Sequence, residues 1–339
     1  MSLEDSHIAL AHGNGGRYMR ELIETVFARQ LASPALDTRA DAVSLPWDTR
    51  EGELLFTTDG FTVQPLEFPG GDIGSLAVHG TTNDLAVCGA VPRYLSLNVF
   101  VEEGFEVALL ERLIASLARS AREVGVQVAA GDTKVLRRGE GGGLYLATTG
   151  IGVRPRGLAL GLGQIRTGDR LLVSGPIGAH GIAVLLAREQ FGLRGDVCSD
   201  AASVLPLTLA VRDLPGLRFM RDPTRGGLAT VMHELAQASG LGVRLEETAI
   251  PVEEPVRSVC EMLGYDPYYL ACEGRVVAVV APEQAETALA RWRALPTGRS
   301  AALIGALGVG PSGRVVLATP LGGERYLEEL EDDPLPRIC

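Results

Sequence analysis

Residues 126–134 read Val-Gln-Val-Ala-Ala-Gly-Asp-Thr-Lys. The first five residues, Val126 to Ala130, suit a short strand, and Gly131 then turns the chain so that Asp132 and Lys134 stand at its end. Just upstream, Val107, Leu110, Leu113, Ile114, Leu117 and Val124 recur at helical spacing, which predicts a helix over about Phe105 to Val124. A helix feeding a strand that stops at a charged glycine turn is the repeating unit of α/β and α+β proteins.

The same grammar extends in both directions. Leu54-Leu55-Phe56-Thr57-Thr58 predicts a strand delivering Asp59, and Leu144 to Val153 predicts another. Tyr18 to Leu31 carries Met19, Leu22, Ile23, Val26 and Phe27 at helical spacing, directly after Gly13-Asn14-Gly15-Gly16. In the second half, residues 169–175 predict a strand running into a glycine turn, followed by a helix from about Gly181 to Gln190. Arg218 to Arg221 leads into Asp222-Pro223-Thr224-Arg225-Gly226-Gly227 and then a helix bearing Leu228, Val231, Met232, Leu235 and Ala236. Strands are predicted at Arg275 to Val280 and Ala302 to Ala306. The fold class is therefore α/β, with α+β character.

A chain of 339 residues exceeds what one core usually holds, so two domains are expected, with the boundary at the turn Arg154-Pro155-Arg156-Gly157. That gives units 1–155 and 156–330. Residues 331–339, Glu-Asp-Asp-Pro-Leu-Pro-Arg-Ile-Cys, contain two prolines and predict an extended arm. Net charge is −11, which disfavours nucleic acid and anionic membrane surfaces. No apolar run is long enough to span a bilayer, and the first residues lack the pattern of a secretory signal. The five cysteines form no C-x-x-C pair, as expected of a protein of the reducing cytoplasm. Cys88, Cys198, Cys260 and Cys272 sit in apolar or helical surroundings and read as small buried hydrophobes. Cys339, at the end of the arm, does not.

Four aspartates are placed at strand ends or glycine turns: Asp59, Asp84 in Thr81-Thr82-Asn83-Asp84, Asp132 and Asp222. Any one of them alone also suits a cap or turn. Converging carboxylates repel one another unless a cation intervenes, and oxygen-ligated Mg²⁺ on a triphosphate is such a cation. Lys134 could supply a point charge to phosphate. Gly15-Gly16 and Gly226-Gly227 precede helices, where free N–H groups suit an anion. Neither a Walker A loop nor a dinucleotide fingerprint is present. Glu273, just before an apolar strand, suits a general base or a surface turn. His180 and His233 read as packing residues of helices, and no role is assigned to His79.

Together His12-Gly13-Asn14-Gly15-Gly16, Phe68-Pro69-Gly70-Gly71, Asn83-Asp84, Gly131-Asp132-Thr133-Lys134, Ser174-Gly175, Asp222-Pro223-Thr224-Arg225-Gly226-Gly227 and Pro336-Arg337-Ile338-Cys339 resemble the HypE hydrogenase maturation factors. These belong to the superfamily of aminoimidazole ribonucleotide synthetase, selenophosphate synthetase and thiamine-monophosphate kinase. The resemblance implies an N-terminal domain forming a β-barrel across a homodimer, a C-terminal α/β domain, and ATP bound between them. It makes Asp59, Asp84, Asp132 and Asp222 metal and phosphate ligands. Asn14, Gly15, Gly16, Asn83, Thr133, Lys134, Arg225, Gly226 and Gly227 would bind the nucleotide. Glu273 would be the base and Cys339 the carrier. The implied reaction is dehydration of a carbamoyl group, loaded on Cys339 by HypF, to a thiocyanate whose cyano group passes to iron on a HypC–HypD complex. Two other readings stay open: a small-molecule kinase or selenophosphate synthetase of the same superfamily, and a nucleotide-sensing scaffold.

Overall fold

The computed structural model describes residues 16–22, 24, 39, 43–49, 52–188, 196–332, 335 and 338–339. Two large sheets carry the chain. The first has five strands: β1 (Val43–Thr49), β2 (Gly52–Phe61), β5 (Val91–Glu102), β6 (Gln127–Leu136) and β7 (Leu144–Arg154), in the order β1-β2-β7-β5-β6. β3 (Glu67–Phe68) and β4 (Gly71–Asp72) form a separate two-stranded ribbon. The large-sheet pairs are antiparallel except β5 with β6, which run parallel because helix α3 (Val107–Val124) carries the chain back between them. Among the described residues this sheet is open, with β1 and β6 at its edges; it closes no barrel by itself, and the expected barrel across a homodimer would need a second copy. The second sheet has seven strands and lies entirely between Arg170 and Tyr326.

Helix α2 (Ile73–Val87) joins the two halves. Asp72 caps it, accepting from the Ser75 amide while the Ser75 hydroxyl accepts from the Asp72 amide. Thirteen of its fifteen residues are buried. Its first turns pack with Phe61, Leu95 and Leu146 of the five-stranded sheet. Ala86 and Val87 pack with Leu172, Met220 and Trp292 of the second half. A helix buried on nearly every side, with His79, Thr81, Thr82 and Asn83 among its buried residues, shows no amphipathic stripe, so periodicity does not reveal it.

Several elements run past their predicted ends. The strand expected over 54–58 extends to Phe61, so Asp59 stands within β2 rather than at its end. The strand expected over 126–130 continues to Leu136, placing Asp132 and Lys134 mid-strand, because Gly131 lies so close to the Leu97 carbonyl that the chain stays paired with β5. Asp84 lies inside α2, not at a strand end. The first helix is described over Arg17–Leu22; Asn14, Gly15 and most of the predicted span beyond Leu22 lie outside the described residues. Cys198 is exposed, contrary to the expectation of a buried hydrophobe, whereas Cys260 and Cys272 are buried. Among the described residues no helix is long and apolar enough to cross a membrane.

Candidate functional site

Alternate residues of β2 point to one face, and Leu55, Thr57, Asp59 and Phe61 face α2. The Thr57 hydroxyl donates to Asp84 Oδ2 at 2.9 Å. A Cβ placed on Gly80, one turn earlier on α2, would lie 3.6 Å from Asp59 Oδ2. Residues 80 and 84 share a helix face, so Asp59 and Asp84 stand side by side where sheet and helix meet.

Asp222 and Arg225 come to this place from the second half, in the loop between β9 (Leu217–Arg221) and α6 (Gly227–Ser239). Arg225 lies 3.9 Å from Asp59. The two glycines after it are dictated by the backbone: Gly226 (φ 73°) and Gly227 (φ 59°) are left-handed, and a Cβ on Gly227 would strike the Tyr268 and Leu270 carbonyls. They let α6 begin immediately behind Arg225.

Glu273 is only 2% exposed, and its Oε1 has no hydrogen-bond partner. Its backbone, by contrast, is pinned: the amide donates to Asp200 Oδ1 at 3.2 Å and the carbonyl accepts from the Asn83 amide at 3.1 Å. Burial raises its pKa well above the usual carboxylate range, the charges of Asp222, Asp59 and Asp200 raise it further, and Arg225 opposes them. Asp59 is raised as well, by burial first, against Arg225 and the Gly60 amide. An uncommitted, proton-hungry carboxylate on a fixed backbone is what a general base needs.

Asn83 has a different task from the one expected. Its side chain donates to the Ala202 and Glu273 carbonyls and accepts from the Val204 amide, so its amide is spent on holding the loop that carries the base. Asp132 and Lys134 are not brought into the cluster either. They pair with each other at 2.9 Å on the exposed edge strand β6, with Thr133 between them. Three strand spacings separate β6 from β2, about 14 Å within one chain. Among the described residues no three or more His, Cys, Asp or Glu gather as a metal-binding set.

The arm is docked. Leu335 and Ile338 are buried in the apolar cluster that contains Phe61, Val63 and Ile182, and Cys339 packs half-buried against it. The Cys339 carbonyl accepts from the Thr62 amide at 3.0 Å and from its hydroxyl at 3.1 Å. Thr62 is three residues beyond Asp59, about 10 Å along an extended chain, so the residue that anchors Cys339 follows directly on the strand that carries Asp59. Gly16 lies under the Leu330 and Glu331 carbonyls, and the Arg17 amide donates to Leu330 at 3.1 Å, so the end of the glycine-rich segment touches the root of the arm. Sequence reasoning missed Thr62, Ser199, Asp200 and the part played by His180. Nothing local distinguishes them, because each acts on a backbone group distant in sequence.

Comparison with known proteins identifies the family. The AIR synthase related protein family matches twice, its N-terminal domain over residues 39–154 and its C-terminal domain over residues 166–318. The carbamoyl dehydratase HypE of Azotobacter vinelandii is 47% identical over 340 aligned residues, covering 100% of this chain and 99% of that one. A solved HypE–HypF complex contains a similar chain, with TM-score 0.85, 40% identity, and coverage of 91% of this chain and 99% of that one. A HypE structure in complex with ATP matches with TM-score 0.81, 43% identity, and coverage of 98% and 100%. The chain belongs to the AIR synthase related family and, within it, to the HypE carbamoyl dehydratases.

Proposed function

We propose that the chain dehydrates a carbamoyl group carried on the Cys339 sulfur to a thiocyanate, at the expense of ATP. The anchoring of the terminal residue is the observation that carries this reading: Thr62, three residues along the chain from Asp59, holds the Cys339 backbone, and Glu273 Oε1 makes no hydrogen bond. A relative solved with ATP and another solved with HypF support ATP as co-substrate and HypF as the carbamoyl donor. A HypC–HypD complex is proposed as the cyanide acceptor, in the cytoplasm.

In S–C(=O)–NH₂ the carbonyl oxygen is a poor leaving group. That oxygen attacks the γ-phosphorus of ATP, ADP departs, and the oxygen later leaves as phosphate. Two N–H protons are lost, the first to Glu273, and the C≡N bond forms. The net change on the sulfur is loss of one water. Positioning and charge neutralisation supply most of the rate in such a transfer. Arg225 and the start of α6 at Gly226-Gly227 hold phosphate, with Asn14, Gly15 and Gly16 as further nucleotide ligands.

Burial raises the pKa of Asp59 and Glu273, and at Glu273 the charges of Asp222, Asp59 and Asp200 add to it. Among the described residues these oxygens form no metal set by themselves, and a divalent cation arriving with phosphate would relieve their repulsion. Asp59, Asp84 and Asp222 would hold Mg²⁺, and its charge would neutralise the triphosphate. Asp132, Thr133 and Lys134 belong to the same chemistry only if a second copy presents them. A homodimer paired along β6 would do so: the strand is an edge, Val128 and Val135 are 42% and 70% exposed, and a groove of about 520 Å³ runs along it. On this reading residues 1–155 bind ATP and dimerise, 156–330 complete the site, and 331–339 carry the substrate.

The test is intact-mass analysis of protein carbamoylated on Cys339 and given Mg-ATP. The expected result is loss of the mass of one water with ATP and not without it. Retention of the carbamoyl mass, or full turnover of a soluble substrate by Cys339→Ala, would overturn the reading in favour of a kinase.

A further inference from the structure

The segment Phe68-Pro69-Gly70-Gly71 has no part in the chemistry above, yet it frames a buried polar chain that ends on the arm. His180, fully buried on α4 (Ala179–Ala187), places Nε2 2.6 Å from the Ile338 carbonyl and Nδ1 2.7 Å from the Ser199 hydroxyl. A carbonyl only accepts, so Nε2 carries the hydrogen and Nδ1 accepts from Ser199. Ser199 Oγ in turn accepts from the Ala201 amide at 3.0 Å. The Phe68 ring meets the imidazole edge-on, with centroids 5.4 Å apart. The Pro69 carbonyl accepts from the Ser199 amide at 2.8 Å. Gly70 is left-handed (φ 92°), and a Cβ there would lie 2.7 Å from the Ser199 backbone.

We propose that His180, oriented by Ser199 and by the Phe68–Gly71 turn, is the latch of the C-terminal arm. It sets the balance between a docked Cys339, which can be dehydrated, and a released one, which can be loaded. The two tasks rest on the carbamoyl dehydratase reading; the latch itself does not. Thr62 grips the last carbonyl from the side of the acidic cluster, and His180 grips the one before it from the second half of the chain. Leu335 and Ile338 fill apolar space between the two grips, which supplies affinity without direction. The imidazole supplies direction, since its hydrogen bond forms only when Ile338 is in register. His180 thus acts through the arm and is a positioning residue.

A docked thiol reacts with a bulky maleimide through its released population, so its labelling rate measures the latch. Labelling of Cys339 is followed by peptide mass mapping in the full-length protein, alongside loading by the carbamoyl donor and single-turnover dehydration. In His180→Ala, loss of one buried hydrogen bond should raise labelling of Cys339 by about two- to tenfold. Loading should rise with it, and the ratio of dehydration to loading should fall. His180→Gln, whose amide can donate to Ile338, should restore most of the wild-type labelling rate. Ser199→Ala removes one hydroxyl, frees the imidazole to take the wrong tautomer, and should show a smaller rise. It decides the matter alone if His180→Ala gives no folded protein. Unchanged labelling in the folded variants, or a fall in loading and dehydration together, would overturn the latch. If wild-type carbamoylated protein never loses water, the dehydratase reading fails, while the labelling series still judges the latch.

Discussion

Thr57-Thr58-Asp59-Gly60 and Gly131-Asp132-Thr133-Lys134 look alike in sequence: small and β-branched residues, a glycine and an acid. Both fall in the middle of strands of the same sheet. β2 is flanked by β1 and β7 and covered by α2, so Asp59 is enclosed beside Asp84, Asp222 and Glu273. β6 is an edge, so Asp132 pairs with Lys134 on an exposed surface, and that pair contributes little to stability. An acid acquires unusual chemistry from what surrounds it, and the surroundings follow from strand order. The enclosed set is complete enough to perturb its own protons; the edge set awaits another surface.

The enclosed set is broken most severely at Glu273. Glu273→Gln keeps the shape and removes the base, so dehydration should slow by about a hundredfold to ten-thousandfold. Single-turnover mass analysis checks this, with loading of Cys339 unaffected. The same variant should be more stable than wild type. A carboxyl whose pKa is raised by folding holds its proton more tightly in the folded chain. Its contribution to stability is full below the ordinary carboxylate range and is lost as pH rises through the raised value. Wild-type protein without nucleotide should therefore lose stability over that rise, and Glu273→Gln should lose less, as thermal melts across pH would show. Dehydration runs the other way, since the base must be ionised, and its rate should climb with pH through the same window. Equal melting curves for the two proteins would mean that Glu273 is not strained by its neighbours.

Much of the site was legible because glycine, proline and terminal cysteine leave local marks. Gly226-Gly227 had to precede a helix, and the Pro-bearing arm could not be helical. The element carrying Asn83 and Asp84 was not legible, since α2 is buried on every side and shows no stripe. Strand ends were set too early at Asp59 and Asp132, because sheet pairing, not local propensity, decides where a strand stops. The task of His180 was invisible for a similar reason: its partner lies 158 residues away. His233 repeats the pattern, its Nε2 donating to the Leu327 carbonyl 94 residues off.

The edge set can be tested by complementation. If Lys134 serves the partner's site in a homodimer, Lys134→Ala and Glu273→Gln homodimers are each impaired, yet a mixed dimer holds one site with both side chains intact. Random re-pairing makes about half of the dimers mixed, so about a quarter of wild-type activity should return after subunit exchange. Lys134 acting within its own chain predicts no recovery, and would require β6 to move across about 14 Å.

Asn83 sets the enclosed cluster apart in another way, because its side chain is structural where the neighbouring Asp84 faces the site. Asn83→Ala leaves the Glu273 and Ala202 carbonyls and the Val204 amide without this partner. The cost should be about 2–4 kcal/mol in urea unfolding. Nucleotide affinity measured on the remaining folded protein should change less than dehydration does, since the base, not a phosphate contact, loses its support. A large loss of affinity with normal stability would return Asn83 to the ligand.

The smallest change in folding free energy, with the clearest effect on assembly, is expected at Val128. Its side chain is 42% exposed and lines the groove along β6, so it adds little to the core of its own chain. Val128→Lys should shift unfolding by no more than about 0.5 kcal/mol when the isolated chain is measured at high dilution. Lysine on an edge strand is a charge that opposes pairing with a like copy, because two such residues would face each other across the symmetry axis and lose water together. Light scattering should therefore show dimer for wild type and monomer for the variant. Dehydration should fall with the dimer, through loss of Asp132 and Lys134 from the partner's site, while the docking of Cys339 on Thr62 and His180 of its own chain should persist. A monomeric variant with full activity would place everything the reaction needs on the enclosed side of the comparison.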